Sequence, residues 1–482
     1  MRYIRDMKYF RKNFRAGLLV SALILVSCPG PANQDTTTNQ QEEENDLPDI
    51  VDELSYNYTL LRYYYLYAQD EMGPYPDYIG RGEDIPFGDV LDMYAGLSDR
   101  WTNYWPPANS AGILDQLATS GNEQKLVGMH LIVEPTAEAD QSDLLFIYRI
   151  WIGSPAEASD LKEGDCIIVI NDVDLTTNPP LKGNDLLARY QEAAAGDTVS
   201  FTILREGDRI LVPSITKQVM RPPTVFLDYI EEIPVIQITG FSEDSGYNAG
   251  AADKNSNTGA ELRAALTRVK SGAYPVGIID IRGNPGGSVN QCFAGIEELV
   301  AGGIYIQYEN HYYDGEKGVV DKISQVAAPG GMGESTQWIF LADGYSASAA
   351  EILLYAVKNC RPETHIIGET TYGKGVGQYY ISPTRAKGLA GITALKFFDK
   401  DGNTFHETGI VPDQPEESAD VLEAAVTYAL SILPDRGRSL LGSAATINRA
   451  AIRTLDKQLK TRQVPSDGIR GGAWEVRGNA GL

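Results

Sequence analysis

From Pro222 onward, apolar strands alternate with helical stretches, and this rhythm confines the region to an α/β layer. Val235-Ile236-Gln237-Ile238 and Pro275–Asp280 read as strands with a helix over Glu261–Val269 between them, and Trp338–Ala342 reads as a further buried strand. Asp401-Gly402-Asn403 is expected to turn a hairpin between Ala394–Phe398 and Thr404-Phe405. The layer is expected to span residues 222–430.

Upstream the texture differs. Between residues 123 and 218, short β-branched runs are separated by Gly, Asp and Pro, the mark of small strands and turns. The string Gly153-Ser154-Pro155-Ala156-Glu157-Ala158-Ser159-Asp160-Leu161-Lys162-Glu163-Gly164-Asp165-Cys166-Ile167-Ile168-Val169-Ile170-Asn171 reads as turn, short helix, turn and strand. It resembles the PDZ domains of bacterial proteases, with Ser159-Asp160 where Ala-Gly is usual. Such domains add an extended peptide as a strand and receive its terminal carboxylate on loop amides. The loop expected to do so is Leu126-Val127-Gly128-Met129. A purely structural β-rich domain is the alternative.

Residues 49–117 place Leu54, Tyr58, Leu61, Tyr65, Val90, Met93 and Leu97 at helical spacing, so a small helical domain is expected. Its tyrosines are read as amphipathic core packing and are given no function. Residues 28–48 hold almost nothing apolar and are expected to be a disordered tether.

Before the tether, a basic leader with Arg2, Arg5, Lys8, Arg11, Lys12 and Arg15 precedes the apolar run Ala16–Val26, which is too short to span a bilayer. Residues 1–27 therefore read as a secretory signal peptide. Leu25-Val26-Ser27-Cys28 resembles the bacterial lipobox, which implies lipidation at Cys28, export and a membrane anchor in the cell envelope. Incidental placement of Cys28 is the alternative. Cys166, Cys292 and Cys360 are too few for a disulfide framework and are expected to be free, mostly buried thiols. A net charge of −24 argues against a nucleic-acid surface. Like the leader, the tail, residues 435–482, runs the other way, with nine Lys and Arg against four Asp and Glu, a net of +5, and is expected to be a solvated, partly helical extension.

Three segments could carry chemistry. Asp343-Gly344-Tyr345-Ser346-Ala347-Ser348-Ala349-Ala350-Glu351 passes from strand through a turn into a helix, with Ser348 at the helix start, where free amides favour developing negative charge. Ser348-x-x-Glu351 is equally a capping box, with no chemistry at all. Asp280-Ile281-Arg282-Gly283-Asn284-Pro285-Gly286-Gly287 has paired glycines that let amides approach a carbonyl, or form a plain tight turn. In Gly368–Gln378, Lys374 lies between Gly373 and Gly375, either as a solvated turn or as a buried lysine able to lose its proton and act as a base.

In this order the three segments resemble the C-terminal processing peptidases, or tail-specific proteases, over Leu97–Asp413, including Leu97–Tyr104 and Gly409-Ile410-Val411-Pro412-Asp413. The resemblance implies an α/β (α+β) fold with a crotonase-like ββα core, an inserted PDZ-like domain and an N-terminal helical domain. It implies a serine endopeptidase in which Ser348 is the nucleophile, Lys374 the base and Gln378 the residue that holds the lysine. The amides of Ala349 and of Gly286 or Gly287 are then expected to form the oxyanion hole, with protein substrates presented by their C-termini and no cofactor or metal. Tyr345, Ala350 and a loop at Asn359–Glu363 one residue longer than usual depart from the family pattern without removing a catalytic atom.

Two other classes compete. A Ser–His–Asp site has His130, His311, His365 and His406 to draw on, none in a triad-like motif, and a zinc site lacks ligand spacing. An inactive PDZ scaffold or ligand carrier on the same fold has no chemical reason to keep Ser348, Lys374 and Gln378 together.

Overall fold

The computed structural model describes residues 53–73, 90, 99–106, 108, 124–230, 232–246, 256–313, 318–381, 388–417, 421–433, 452, 455, 456 and 459. The expected signal peptide 1–27, Cys28, the expected tether 28–48, Met93, Leu97 and most of the tail lie outside the described residues. The chain divides into two compact units. Of the described residues, one unit holds those up to 118, 227–241 and those from 262 on, and the other holds those within 119–226 and 242–261. Among the described residues no helix is long and apolar enough to cross a membrane.

The first unit is built on a six-stranded sheet in the order Val225–Ile230, Ile233–Ile238, Val276–Asp280, Gln337–Ala342, His365–Gly368, Gln414–Pro415. From Ile233–Ile238 onward every pairing is parallel. Parallel neighbours need crossover connections, and the helices Thr258–Ser271, Val289–Leu299 and Ala349–Cys360 supply them. Val276–Asp280 is buried at all five positions, as a strand covered on both faces must be. The parallel register brings Asp280 beside Leu341 and Ala342 beside Gly368. The loops that leave the carboxyl ends of these strands therefore gather along one edge, where open α/β sheets place their sites.

An antiparallel sheet completes this unit. Leu389–Phe398 pairs with Asn103–Trp105, Gly303–Tyr313 and Val376–Ile381, and Gly318–Ala327 lies outside Gly303–Tyr313. The tyrosine-rich helix Glu53–Tyr64 packs here, with Tyr58, Tyr64 and Tyr65 buried against Ala390 and Ile392. Core packing is thus what these three tyrosines do.

Two sequence expectations change. Asp399–Asn403 does turn, with the Asp399 amide donating to the Asn403 carbonyl, but Thr404-Phe405 is not a strand. Leu389–Phe398 has strand partners already, and Phe405 goes into the core instead. The tail also differs from a solvated extension: Ile452, Leu455 and Leu459 are buried with the helix Val421–Ile432 against Ile230, Val235, Ile278, Ile339 and Ile367. Their spacing of three and then four residues is that of one helical face. Cys166 and Cys292 are buried free thiols, and Cys360 is half-buried.

The second unit has the strand order Met129–Glu134, Leu144–Ile150, Cys166–Ile170, Thr198–Arg205, Asp208–Thr216, all antiparallel. Leu186 of the helix Gly183–Ala193 joins Leu145, Ile147, Ile167, Ile170, Phe201 and Ile203 in its core. The helix expected after Pro155 is a single turn, closed by Ala158 N–H to the Ser154 carbonyl.

Candidate active site

Strand Gln337–Ala342 ends at a turn shaped by Asp343, whose carboxylate accepts from the amides of Tyr345 and Ser346 at 3.0 Å each. Ser346 Oγ donates to the Ile281 carbonyl and the Ala347 amide donates to that of Asn284, both at 2.9 Å, so this turn is fastened to the neighbouring glycine loop. The next residue, Ser348, takes φ 56°, ψ −118° just before the helix Ala349–Cys360. A side chain in this left-handed region is strained, and the fastenings on both sides hold it there. Among the described residues the Ala349 amide has no protein acceptor.

The glycine loop closes on the serine from the other side. A Cβ on Gly286 would lie 2.8 Å from Ser348 Cβ and 2.9 Å from the Ala349 nitrogen, so only glycine fits. The Gly286 amide itself donates to Asn284 Oδ1 at 2.8 Å. Gly287 pairs with Phe241 in a parallel bridge, and among the described residues its amide has no protein acceptor. Of the two glycine amides considered from the sequence, that of Gly287 is the one not already engaged.

Lys374 follows strand His365–Gly368 and a glycine turn, with Nζ donating to Gln378 Oε1 at 3.0 Å and lying 4.9 Å from the centre of the Trp101 ring. Desolvation pulls its pKa down to about 8, against the opposing pull of the Asp99 and Glu351 carboxylates. Gln378 is in turn bonded to Thr393 Oγ1 at 3.5 Å, and the Thr393 amide donates to Thr102 Oγ1, whose hydroxyl donates to Asp99.

Glu351 joins the two segments. Its side chain is fully buried, with Oε2 accepting from the amides of Ser348 at 2.9 Å and Lys374 at 2.8 Å. Oε1 accepts from Thr371 Oγ1 at 2.5 Å and from the Gly373 amide at 2.7 Å. Burial raises its pKa while these four donors hold it down. The capping glutamate of the sequence is therefore also the clamp that fixes the backbone of Lys374. Ser348 Oγ and Lys374 Nζ are not hydrogen-bonded to each other, and among the described residues no histidine bonds to Ser348.

Sequence reasoning did not single out Asp99, Trp101 and Thr102. They lie in the Leu97–Tyr104 segment, whose likeness to the family was the available signal, and strand Asn103–Trp105 brings them in by pairing with Leu389–Gly391. His406 sits behind Gly375, with Nε2 3.4 Å from the Tyr67 hydroxyl. His365 stacks on Tyr428 with ring centres 4.0 Å apart. His130 lies in strand Met129–Glu134 of the other unit, and His311 in Gly303–Tyr313. Leu126 ends strand Gln124–Leu126, Met129 begins the next strand, and Gly128 between them has φ 86°.

Residues 232–415 match the model of peptidase family S41. The chain is 27% identical over 368 residues to the carboxy-terminal processing protease CtpA of Bacillus subtilis (strain 168), covering 73% of this chain and 70% of that protein. It is also 27% identical over 340 residues to the carboxyl-terminal-processing protease of Picosynechococcus sp., covering 69% and 74%. A solved structure of the photosystem II D1 C-terminal processing protease aligns with a TM-score of 0.41 at 17% identity, over 76% of this chain and 92% of that one.

Proposed function

Because the chain belongs to peptidase family S41 and is a C-terminal processing serine peptidase, we propose that it works through Ser348 and Lys374, with the second unit capturing the substrate. The observation that carries this reading is the shared use of Glu351 Oε2 by the amides of Ser348 and Lys374, which holds a strained serine and a desolvated lysine in one frame.

Neutral Lys374, oriented by Gln378, takes the Ser348 hydroxyl proton as Oγ attacks the peptide carbonyl. Their mutual hydrogen bond forms in the substrate complex, as catalytic contacts often tighten only there. The carbonyl oxygen becomes an oxyanion received by the amides of Ala349 and Gly287, at the positive end of the helix Ala349–Cys360. Lys374 then gives its proton to the departing amine. Water, deprotonated by the same lysine, attacks the acyl-serine and frees the enzyme.

Lysine is a base only when uncharged, which sets the sign of the pH dependence. With its pKa near 8, about a tenth is active at pH 7, and kcat/KM rises to a plateau above pH 8. Measured on an unstructured protein substrate, a rate constant flat from about pH 6 to 9 would remove lysine as the base.

Capture of a C-terminus is assigned to residues 123–218, with the carboxylate on the amides of Leu126-Val127-Gly128-Met129. Support comes from the helix Gly183–Ala193, which packs near strand Met129–Glu134 with Leu187, Tyr190, Met129 and Leu131 half-buried, an apolar setting for an added strand. Amidating the substrate's C-terminus is expected to raise KM about tenfold with kcat little changed. Equal KM for both forms counts against the loop. Export by the leader and anchoring through a lipidated Cys28 place this activity in the cell envelope, on proteins reached from a membrane surface.

A further inference from the structure

The glycine loop has a fastening that the catalytic scheme does not use. Arg282, at the loop's start, is 3% exposed and its guanidinium is divided between two carboxylates. Nε and Nη2 donate to Oδ1 and Oδ2 of Asp280 at 2.9 and 2.8 Å, within the same strand and turn. Nη1 donates to Asp456 Oδ1 at 3.0 Å, across 174 positions of sequence. Asp456 is presented from a docked segment: Leu455 and Leu459 are buried in the core beside it, and Gln237 Nε2 donates to the Leu459 carbonyl at 2.7 Å.

Arg282 leads directly into the oxyanion loop. The Gly283 amide donates to Asp343 Oδ1 at 3.0 Å, and Asn284 holds the Ile238 carbonyl through Nδ2 at 2.9 Å and the Gly286 amide through Oδ1 at 2.8 Å. The carbonyl of Asn284 accepts from Ala347, next to the nucleophile. A buried guanidinium with one arm unpaired must find another acceptor, and because Arg282 is itself the first residue of this loop, its movement moves the loop. We propose that Asp456 is a positioning residue, which through Arg282 braces the Arg282–Gly287 loop and so aims the Gly287 amide at the oxyanion. Asp456 is then coupled to the catalytic unit, while its neighbour Leu455 serves only to bury the segment. This rests on the assignment of Ser348 and Gly287 given above.

The test compares wild type, Asp456→Ala, Asp456→Asn, Leu455→Ala and Ser348→Ala on an unstructured protein substrate well below every Tm, with kcat and KM resolved. Loss of an oxyanion donor costs 10²- to 10³-fold, so loss of its brace is expected to lower kcat in Asp456→Ala by about 10-fold with KM within about twofold. Asp456→Asn, which keeps the size and an acceptor oxygen, should lose about threefold and decides the matter if the alanine variant does not fold. Leu455→Ala strips apolar burial from the same segment without touching Arg282, so it should lower Tm and leave kcat at the wild-type value. Wild-type kcat in both Asp456 variants, or an equal fall in kcat for Leu455→Ala, would overturn the brace. If Ser348→Ala is inactive in that case, the catalytic assignment survives without it. Full activity in Ser348→Ala removes both.

Discussion

Alanine at Ser348 or at Lys374 is expected to lower kcat by at least about 10³-fold on an unstructured protein substrate, and the double variant should be no worse than either alone. In the proposed mechanism the two residues act on one proton, so once one is gone the other has nothing to do. KM should change little, because neither side chain is proposed to bind the substrate away from the scissile bond. Lys374→Arg separates a base from a mere cation. A guanidinium keeps positive charge beside Trp101 and Asp99 but cannot deprotonate, so it should be as inactive as alanine. Activity in the arginine variant near that of wild type would mean that charge alone matters at this position.

The second large effect is expected at Glu351, on stability and rate together. Its two oxygens accept four hydrogen bonds in a fully buried setting. Alanine leaves the amides of Ser348, Gly373 and Lys374 and the Thr371 hydroxyl without that acceptor, a loss of about 3 kcal/mol or more even if some find water. Glutamine is not a remedy. Whichever way its amide is set, the NH₂ faces two donors, so either the Ser348–Lys374 pair or the Thr371–Gly373 pair is opposed. Both variants should unfold at lower denaturant concentration than wild type, and folded Glu351→Gln should lose most of its kcat. Because the Glu351 carboxylate favours charged Lys374, whatever activity remains should begin at lower pH than in wild type. Wild-type kcat in folded Glu351→Gln would show that the clamp is structural only.

The parts of the site that sit in continuous strings were legible from sequence for a physical reason. Ser348 and the two glycines each lie between a strand of the parallel sheet and a helix start, and Lys374 lies between such a strand and the strand Val376–Ile381 that carries Gln378, so local patterns mark them all. Asp99, Trp101 and Thr102 were not, because what brings them to Lys374 is the pairing of Asn103–Trp105 with Leu389–Gly391, nearly three hundred positions away. Glu351 was read as a cap, which is half of what it does. Sequence alone left Gly286 and Gly287 equivalent, and only the bond from the Gly286 amide to Asn284 separates them. In the tail, the helical spacing of Ile452, Leu455 and Leu459, and not the net charge, marks the face that is buried. The strand expected at Thr404-Phe405 failed because Leu389–Phe398 finds its partners elsewhere.

The most direct test of the catalytic assignment is covalent. Wild type is treated with a fluorophosphonate, digested, and mapped by mass spectrometry over a range of pH. One adduct is expected, on the peptide that carries Ser348, forming at a rate that rises with pH through about 8 and falling at least about 100-fold in Lys374→Ala. An adduct on another residue, or equal labelling of Ser348 with and without Lys374, would contradict a Ser348–Lys374 mechanism.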